Sequence, residues 1–346
     1  MKKFAKFYAK LFLFISPFYI LLLLSLLIRV DAYLYTPGNL TDIKKEIMVD
    51  GYNKKLNGSV SSVYIMEFPR PNLFSLAISS LNKANDVFWV TKTSMETYDK
   101  ELDYATGTFS SRQSFNNASL AAFEALGQDI NYRQLTYIQR ADKDIISNIK
   151  YTSIVGSYIK ECNGIEYPVL KEVSDYLSST NESTLLIVDK NGKEESLTMT
   201  RKKDGLFGIT ISTSFLLLDD EMVKVSNVYT TGGSGGAMQA LYIYCLMNDE
   251  DILKGRKIAG TGTISYELDS NGDLNTFTRI GGIGCVKQKL YAAYIDHADV
   301  FYCPDSNYTE CMNAYALYGF TEKDIRVVKV SYLSDIIEDL RGDQNE

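Results

Sequence analysis

The 346-residue chain has one histidine, one tryptophan, six prolines and five cysteines. The lone histidine, His297, excludes a multi-histidine metal centre and removes the usual base of a serine or cysteine hydrolase. Acid–base chemistry would have to come from a carboxylate, a lysine or a tyrosine. The cysteines (Cys162, Cys245, Cys285, Cys303 and Cys311) lack CxxC spacing, which speaks against zinc, and their odd number leaves at least one thiol free. Most sit in apolar runs as small core residues. Cys285, two positions before Lys287, is an alternative nucleophile, although no histidine base lies near it in sequence. Past the first ten residues no basic stripe occurs, and the net charge is −7, which argues against a nucleic-acid partner. Neither G-x-G-x-x-G nor G-x-x-x-x-G-K-[ST] is present, so no dinucleotide or ATP site is written in the chain. No cofactor is expected.

The N-terminus is where hydrophobicity concentrates. Lys2, Lys3, Lys6 and Lys10 precede an apolar run, Leu11 to Ile28, broken only by Ser16, Pro17, Tyr19 and Ser25. As a helix this run spans about 27 Å, enough for a hydrocarbon core. The lysine cluster predicts a cytoplasmic N-terminus and an extracytoplasmic remainder, a single-pass protein of the cell membrane. A cleaved signal peptide would have a shorter apolar core and a better cleavage site than Val30–Ala32. Residues 1–32 are therefore read as an uncleaved anchor. A buried core helix fits less well, because no polar face exists for about five turns.

Beyond the anchor the pattern is α+β. Residues 33–145 form a first external part, with turn chemistry at Pro37-Gly38 and Asn57-Gly58, a strand from Val60, helices over Leu73–Lys83 and Asn116–Gln128, and a strand over Tyr132–Arg140. Residues 146–207 read as strand, turn at Asn163-Gly164, helix, strand, hairpin at Asn191-Gly192 and strand. That order resembles the second half of a PDZ domain in degenerate form. Gly156-Ser157-Tyr158-Ile159 and Cys162-Asn163-Gly164 occupy places comparable to its G-D-x-I and V-N-G, and no carboxylate-binding loop is evident upstream. Without a peptide-binding role the segment is simply a small α/β module. Residues 208–346 alternate strands and helices: a strand "MVKVSNVYTT", a glycine loop, a helix over Ala237–Leu246, and a strand "RKIAGTGTISYEL". A polar connection over Ser270–Cys285 then leads to the helix "VKQKLYAAYIDHA" and the closing strands and helices.

The glycine loop "TTGGSGGAMQA" (Thr230–Ala240) admits three readings. A glycine turn opening a helix can cradle an anion, but no nucleotide signature accompanies it. Gly-Gly-Ser-Gly-Gly is also linker composition, yet it stands between a strand and a helix with no room for a domain boundary. As a strand-to-helix turn it can expose Ser234 as a nucleophile, with backbone N–H groups around Gly233 and Gly235 near an oxyanion. The base must then be a lysine whose pKa falls to roughly 7–8 by burial. Lys287 and Lys289 lie about 200° apart on one helix, so only one can face such a site. The stripe Val286, Leu290, Ala293, His297 lies between them and does not choose, and on it His297 reads as a packed helix residue.

"GGSGGAMQALYIYCLMNDEDILKGRKIAGTGTI" followed by "GCVKQKLYAAYIDHADVFYCP" resembles the proteolytic domain of Lon-type Ser-Lys proteases, and with the anchor and PDZ-like middle it resembles their membrane-tethered, PDZ-containing relatives. The likeness covers about residues 223–341. It implies Ser234 as nucleophile, Lys287 as general base, Thr261 as the lysine's support, and a C-terminal Lon-type fold. Gly233 stands in place of a proline, Gly235 of an alanine and Cys285 of a glycine, and residues 267–282 read as an insertion. The implied activity is ATP-independent endopeptidase action on unfolded or flexible extracytoplasmic protein segments, with room for a ring-shaped homo-oligomer. The alternative is a catalytically inactive, membrane-tethered protein-binding module on the same folds. An amidase of Ser-Ser-Lys type fits poorly, because its lysine should precede the glycine loop.

Overall fold

The computed structural model describes residues 2–218, 222–225, 231–270 and 273–342. The apolar N-terminus is one helix, α1 (Lys2–Leu27), whose Lys6–Leu27 portion is long and apolar enough to cross a membrane. From there the chain runs β1 (Ala32–Asp42), β2 (Ile47–Val49), β3 (Ser59–Pro69), α2 (Leu73–Ser79), β4 (Asp86–Trp89), α3 (Lys92–Glu96) and α4 (Lys100–Ala125). A middle stretch holds β5 (Tyr132–Ala141), α5 (Tyr151–Ile154), β6 (Tyr158–Cys162), β7 (Ile165–Glu166), α6 (Leu170–Ser179), β8 (Glu182–Val188), β9 (Glu194–Thr200) and β10 (Ile209–Leu217). Then come β11 (Val223–Val225), α7 (Gly236–Met247), β12 (Lys257–Gly260), β13 (Thr263–Leu268), β14 (Leu274–Gly281), α8 (Val286–Ile295), β15 (Val300–Pro304), α9 (Asp305–Tyr318), β16 (Arg326–Val330) and α10 (Leu333–Gly342).

Strands from both ends of the region that follows α1 share one mixed sheet, ordered β16-β15-β12-β3-β1-β4. β3 is its seam, antiparallel to β1 and parallel to β12. The middle stretch makes a second sheet, β10-β5-β6-β8-β9, with β7 paired to β6. β5 and β10 pair along their full lengths, from Ile209↔Ala141 to Leu217↔Tyr132. This corrects the boundaries read from sequence. The middle unit spans 132–217 rather than 146–207, and residues 33–145 and 208–346 are not two units but two parts of one, with the middle unit inserted between them.

Around β12 and β15 the main sheet is buried on both faces, and β15 records this residue by residue. Val300 and Tyr302 enter a core with α4, α7 and α10, while Phe301 and Cys303 enter a core with α8 and α9. Such continuous apolar runs are what parallel strands with two covered faces require. α7 is buried along its whole length, which explains its lack of a polar face. α4 serves two cores in turn. Leu102 and Phe109 join the middle unit's core, and Phe115, Leu120 and Phe123 join the main one.

Two local expectations fail for visible reasons. Pro37-Gly38 is not a turn between elements but a bulge inside β1, where the pairing with β3 shifts between Pro37 and Leu40. The expected strand over residues 256–268 breaks at Thr261-Gly262, where Gly262 has φ +149, and its second half folds back on β14. The polar connection and the supposed insertion together are therefore largely the β13–β14 hairpin.

Candidate active site

The glycine–serine turn is tied down from both sides. Gly232 N–H donates to Gly107 O (2.9 Å), and Gly233 O accepts from Ser114 Oγ (3.2 Å). Ser234 O accepts from Gly262 N–H (2.8 Å) and from Thr261 Oγ1 (3.0 Å). A flexible linker has no such partners. α7 begins two residues after Ser234, and its N–H groups at Gly236 and Ala237 bond to Gly233 O and Gly262 O. Those of Ser234 and Gly235 find no partner among the described residues, so they are available to an oxyanion at a helix N-terminus. Gly236 permits a close approach: a Cβ there would lie 2.8 Å from Ile264 N and 2.9 Å from Ser114 Oγ. The strand expected ahead of the loop is described only as β11; residues 226–230 of it lie outside the described residues.

The two lysines of α8 go to different places. Lys287 points to β4, where its Nζ meets Asp86 Oδ1 at 2.6 Å and Gln288 Nε2 holds the other carboxylate oxygen at 2.8 Å. Lys289 is 4% exposed, and its Nζ donates to Thr261 Oγ1 (3.2 Å). No carboxylate pairs with Lys289 among the described residues. Burial pulls it down to about 8, with the neighbouring Cys285 pushing the other way. The assignment of Lys287 to the place beside Thr261 is thus corrected: the geometry puts Lys289 there, and the roughly 200° between the two side chains sends Lys287 to the opposite side.

Ser234, Gly235, Gln239 and Lys289 line one cavity of about 300 Å³ with Ser62, Tyr64, Glu46 and Glu67. Burial raises both glutamates above the ordinary carboxylate range; Asp103 adds to the rise at Glu67, while a hydrogen bond with Gln239 opposes it at Glu46. Gln239 Oε1 also accepts from Ser114 Oγ (2.8 Å), so a polar chain runs from Glu46 to the carbonyl of Gly233. No sequence signal marked these residues, because they converge from three distant segments. β3 borders the cavity with an open half-edge: β12 pairs with it only from Ser59 to Ser62, and beyond that no strand takes this side among the described residues. Two larger clefts, of about 740 and 630 Å³, lie away from this serine–lysine arrangement.

A second feature lies within the middle unit, between β9 and β10. The loop Lys202–Gly208, with Gly205 and Gly208 at φ +85 and +75, leads into β10, and α6 packs beside that strand. Arg201 bonds to Leu177 O, Thr180 O and Gly205 O, joining the end of α6 to the loop. Thr213 O and Phe215 O accept from Tyr266 Oη and Asn116 Nδ2, and Leu217 N–H donates to Asn116 Oδ1, so odd-numbered residues turn to the outer edge of β10. The alternation turns the main-chain groups of Ile209 and Ile211 the same way, where no strand pairs with them among the described residues.

Cys285 caps α8 in the left-handed conformation, φ 60, the place where a glycine costs least. Burial pushes its thiol up, which disfavours the thiolate a nucleophile needs. His297 is not packed on the helix stripe. It lies past the end of α8, exposed, at φ 58, in the left-handed position that terminates many helices. Among the described residues no group of three His, Cys, Asp or Glu side chains could hold a metal ion. No protein-family model matches the chain, and no curated protein matches it.

Proposed function

We propose that the chain is a membrane-anchored, ATP-independent Ser-Lys endopeptidase of Lon-like type, with Ser234 as nucleophile and Lys289 as general base. The observation that carries it is a buried lysine with no carboxylate partner among the described residues, bonded to the threonine that also holds the carbonyl of Ser234, in one cavity with that serine. Neutral Lys289 accepts the Ser234 Oγ proton as Oγ attacks the scissile carbonyl. The oxyanion is met by the N–H groups of Ser234 and Gly235, and the lysine then protonates the departing amine. Water repeats the sequence in reverse to free the acid product. Thr261 fixes the direction of Nζ. An extended substrate adds to the open half-edge of β3, which favours unfolded or flexible protein segments.

The middle unit is read as a PDZ-like module whose peptide groove lies between β10 and α6, with the Lys202–Gly208 loop placed for a chain-terminal carboxylate. α1 spans the cell membrane with its N-terminus cytoplasmic, on the argument of its flanking lysines. A ring of several copies remains the assembly that the Lon-like reading implies.

The test is digestion of an unfolded protein by the full chain, without ATP, read by mass spectrometry. Ser234→Ala and Lys289→Ala should abolish cleavage and Lys287→Ala should retain it. Loss in Lys287→Ala with retention in Lys289→Ala would overturn the assignment. No cleavage by the folded, assembled wild type would favour the inactive binding module on the same folds.

A further inference from the structure

The exit of α1 from its apolar stretch is joined by main-chain bonds to the segment that carries α2. Leu73 N–H donates to Ile28 O (3.1 Å), Val30 N–H donates to Pro71 O (3.1 Å), and Arg29 and Asn72 form an isolated bridge. β4 is held to the same place, since Trp89 lies opposite Ala32 and Phe88 opposite Tyr33 on the first residues of β1. Whatever α1 enters, α2 and β4 must approach.

Much of the surface they carry is apolar, with Asn82, Lys83 and Asp86 exposed among it. Phe74 and Ile78 on α2, Leu81 just after it, and Phe88 and Trp89 on β4 are all exposed, Leu81 at 80% and Trp89 at 64%. β4 is the edge strand of its sheet, so Phe88 and Trp89 leave it on opposite faces and both remain uncovered. A water-facing surface rarely gathers aromatic and aliphatic side chains so closely, whereas the lipid–water interface favours tryptophan beside a span and takes up phenylalanine and leucine from surfaces lying in it. Continuity with α1 identifies the occupant, because the patch begins where the helix ends.

We infer that α2 and β4 form a foot that rests in the interfacial layer of the same bilayer that α1 enters. Trp89 lies at headgroup level, and Leu81 and Phe88 reach between the lipids. The external region is then attached at two places and cannot swing freely about the end of α1. The foot stands apart from the catalytic reading and holds whether or not the chain cuts peptides.

Trp89 is the chain's single tryptophan, so its fluorescence reports this place alone. The full chain would be reconstituted in vesicles of phosphatidylcholine and phosphatidylglycerol, with and without lipids spin-labelled near the headgroup. The expected result is blue-shifted emission that loses most of its intensity to the labelled lipids and resists aqueous acrylamide. A Leu81→Ser/Phe88→Ser variant, changed only at exposed positions, should shift the emission to the red and admit acrylamide. Full quenching by acrylamide with none by the lipid labels overturns the foot. Protection from both quenchers also overturns it, because a second copy or another protein surface would then cover Trp89.

Discussion

Lys289 carries an unusual burden for a single side chain. Its proton is held less tightly in the folded protein, at about 8, than in the unfolded chain, at about 10.5. Between those values the unfolded state binds more protons, so stability should rise with pH through that window and lie lower, by about 3 kcal/mol, below it. Lys289→Met should therefore raise stability at pH 7 by up to about 3 kcal/mol, as urea melts of both proteins would show, while abolishing the proposed peptidase activity. In the wild type, kcat/KM should climb with pH and level off above about 8; a profile flat from pH 6 to 9 would remove Lys289 as the base. Gly236→Ala is the opposite case. Its Cβ would meet the backbone of β13, and a loss of about 1–3 kcal/mol is expected, against a milder effect for Gly235→Ala, whose Cβ would be 3.3 Å from Ser62 Cβ. Ser234 and Thr261, which the structure brings beside a lysine, were singled out as candidates in sequence. The choice between two lysines was not legible there, because it depends on Asp86, 201 positions from Lys287, which occupies one of them.

Elements were legible where they keep one environment. α7, β15, α9, β16 and α10 fall close to where their apolar patterns place them, since each keeps the same face or faces covered along its length. α4 was read only from residue 116, because its apolar residues change partner midway and no single periodicity covers all of Lys100–Ala125. The same helix carries a joint between the two sheets that no pattern announces. Asn116 accepts from Leu217 N–H at 3.0 Å and donates to Phe215 O, closing the last part of β10's outer edge. Asn116→Ala would leave both main-chain groups partly buried and unpaired, at a cost of about 1–3 kcal/mol. Hydrogen exchange should find the Leu217 amide newly labile while amides of β8 and β9 stay protected. Equal loosening of the whole middle sheet would mean that Asn116 supports the unit globally instead of sealing one edge.

At the scale of the molecule, the insertion of one unit into another is what sequence order conceals. A strand pattern near residue 60 looks local, and nothing in it says that its parallel partner lies near residue 258. Physical continuity follows from that pairing. Without residues 33–125, β12 loses β3, and α7 loses Phe115, Leu120 and Phe123 from its core. Three such side chains at about 2 kcal/mol each already approach the stability of a typical domain. A fragment of residues 208–346 should therefore show no cooperative thermal transition by circular dichroism. The middle unit differs, because Leu135, Ile138, Ile159, Val173, Leu185, Ile187, Leu197 and Met199 bury one another within residues 132–217. Excised, it gives up Leu102 and Phe109 of α4 and the seal at Asn116, so it should melt cooperatively but at a lower temperature than in the whole chain. A cooperative melt of 208–346 alone would show that the sheet closes without β3, and would restore the linear order of domains that the pairing of β3 with β12 denies.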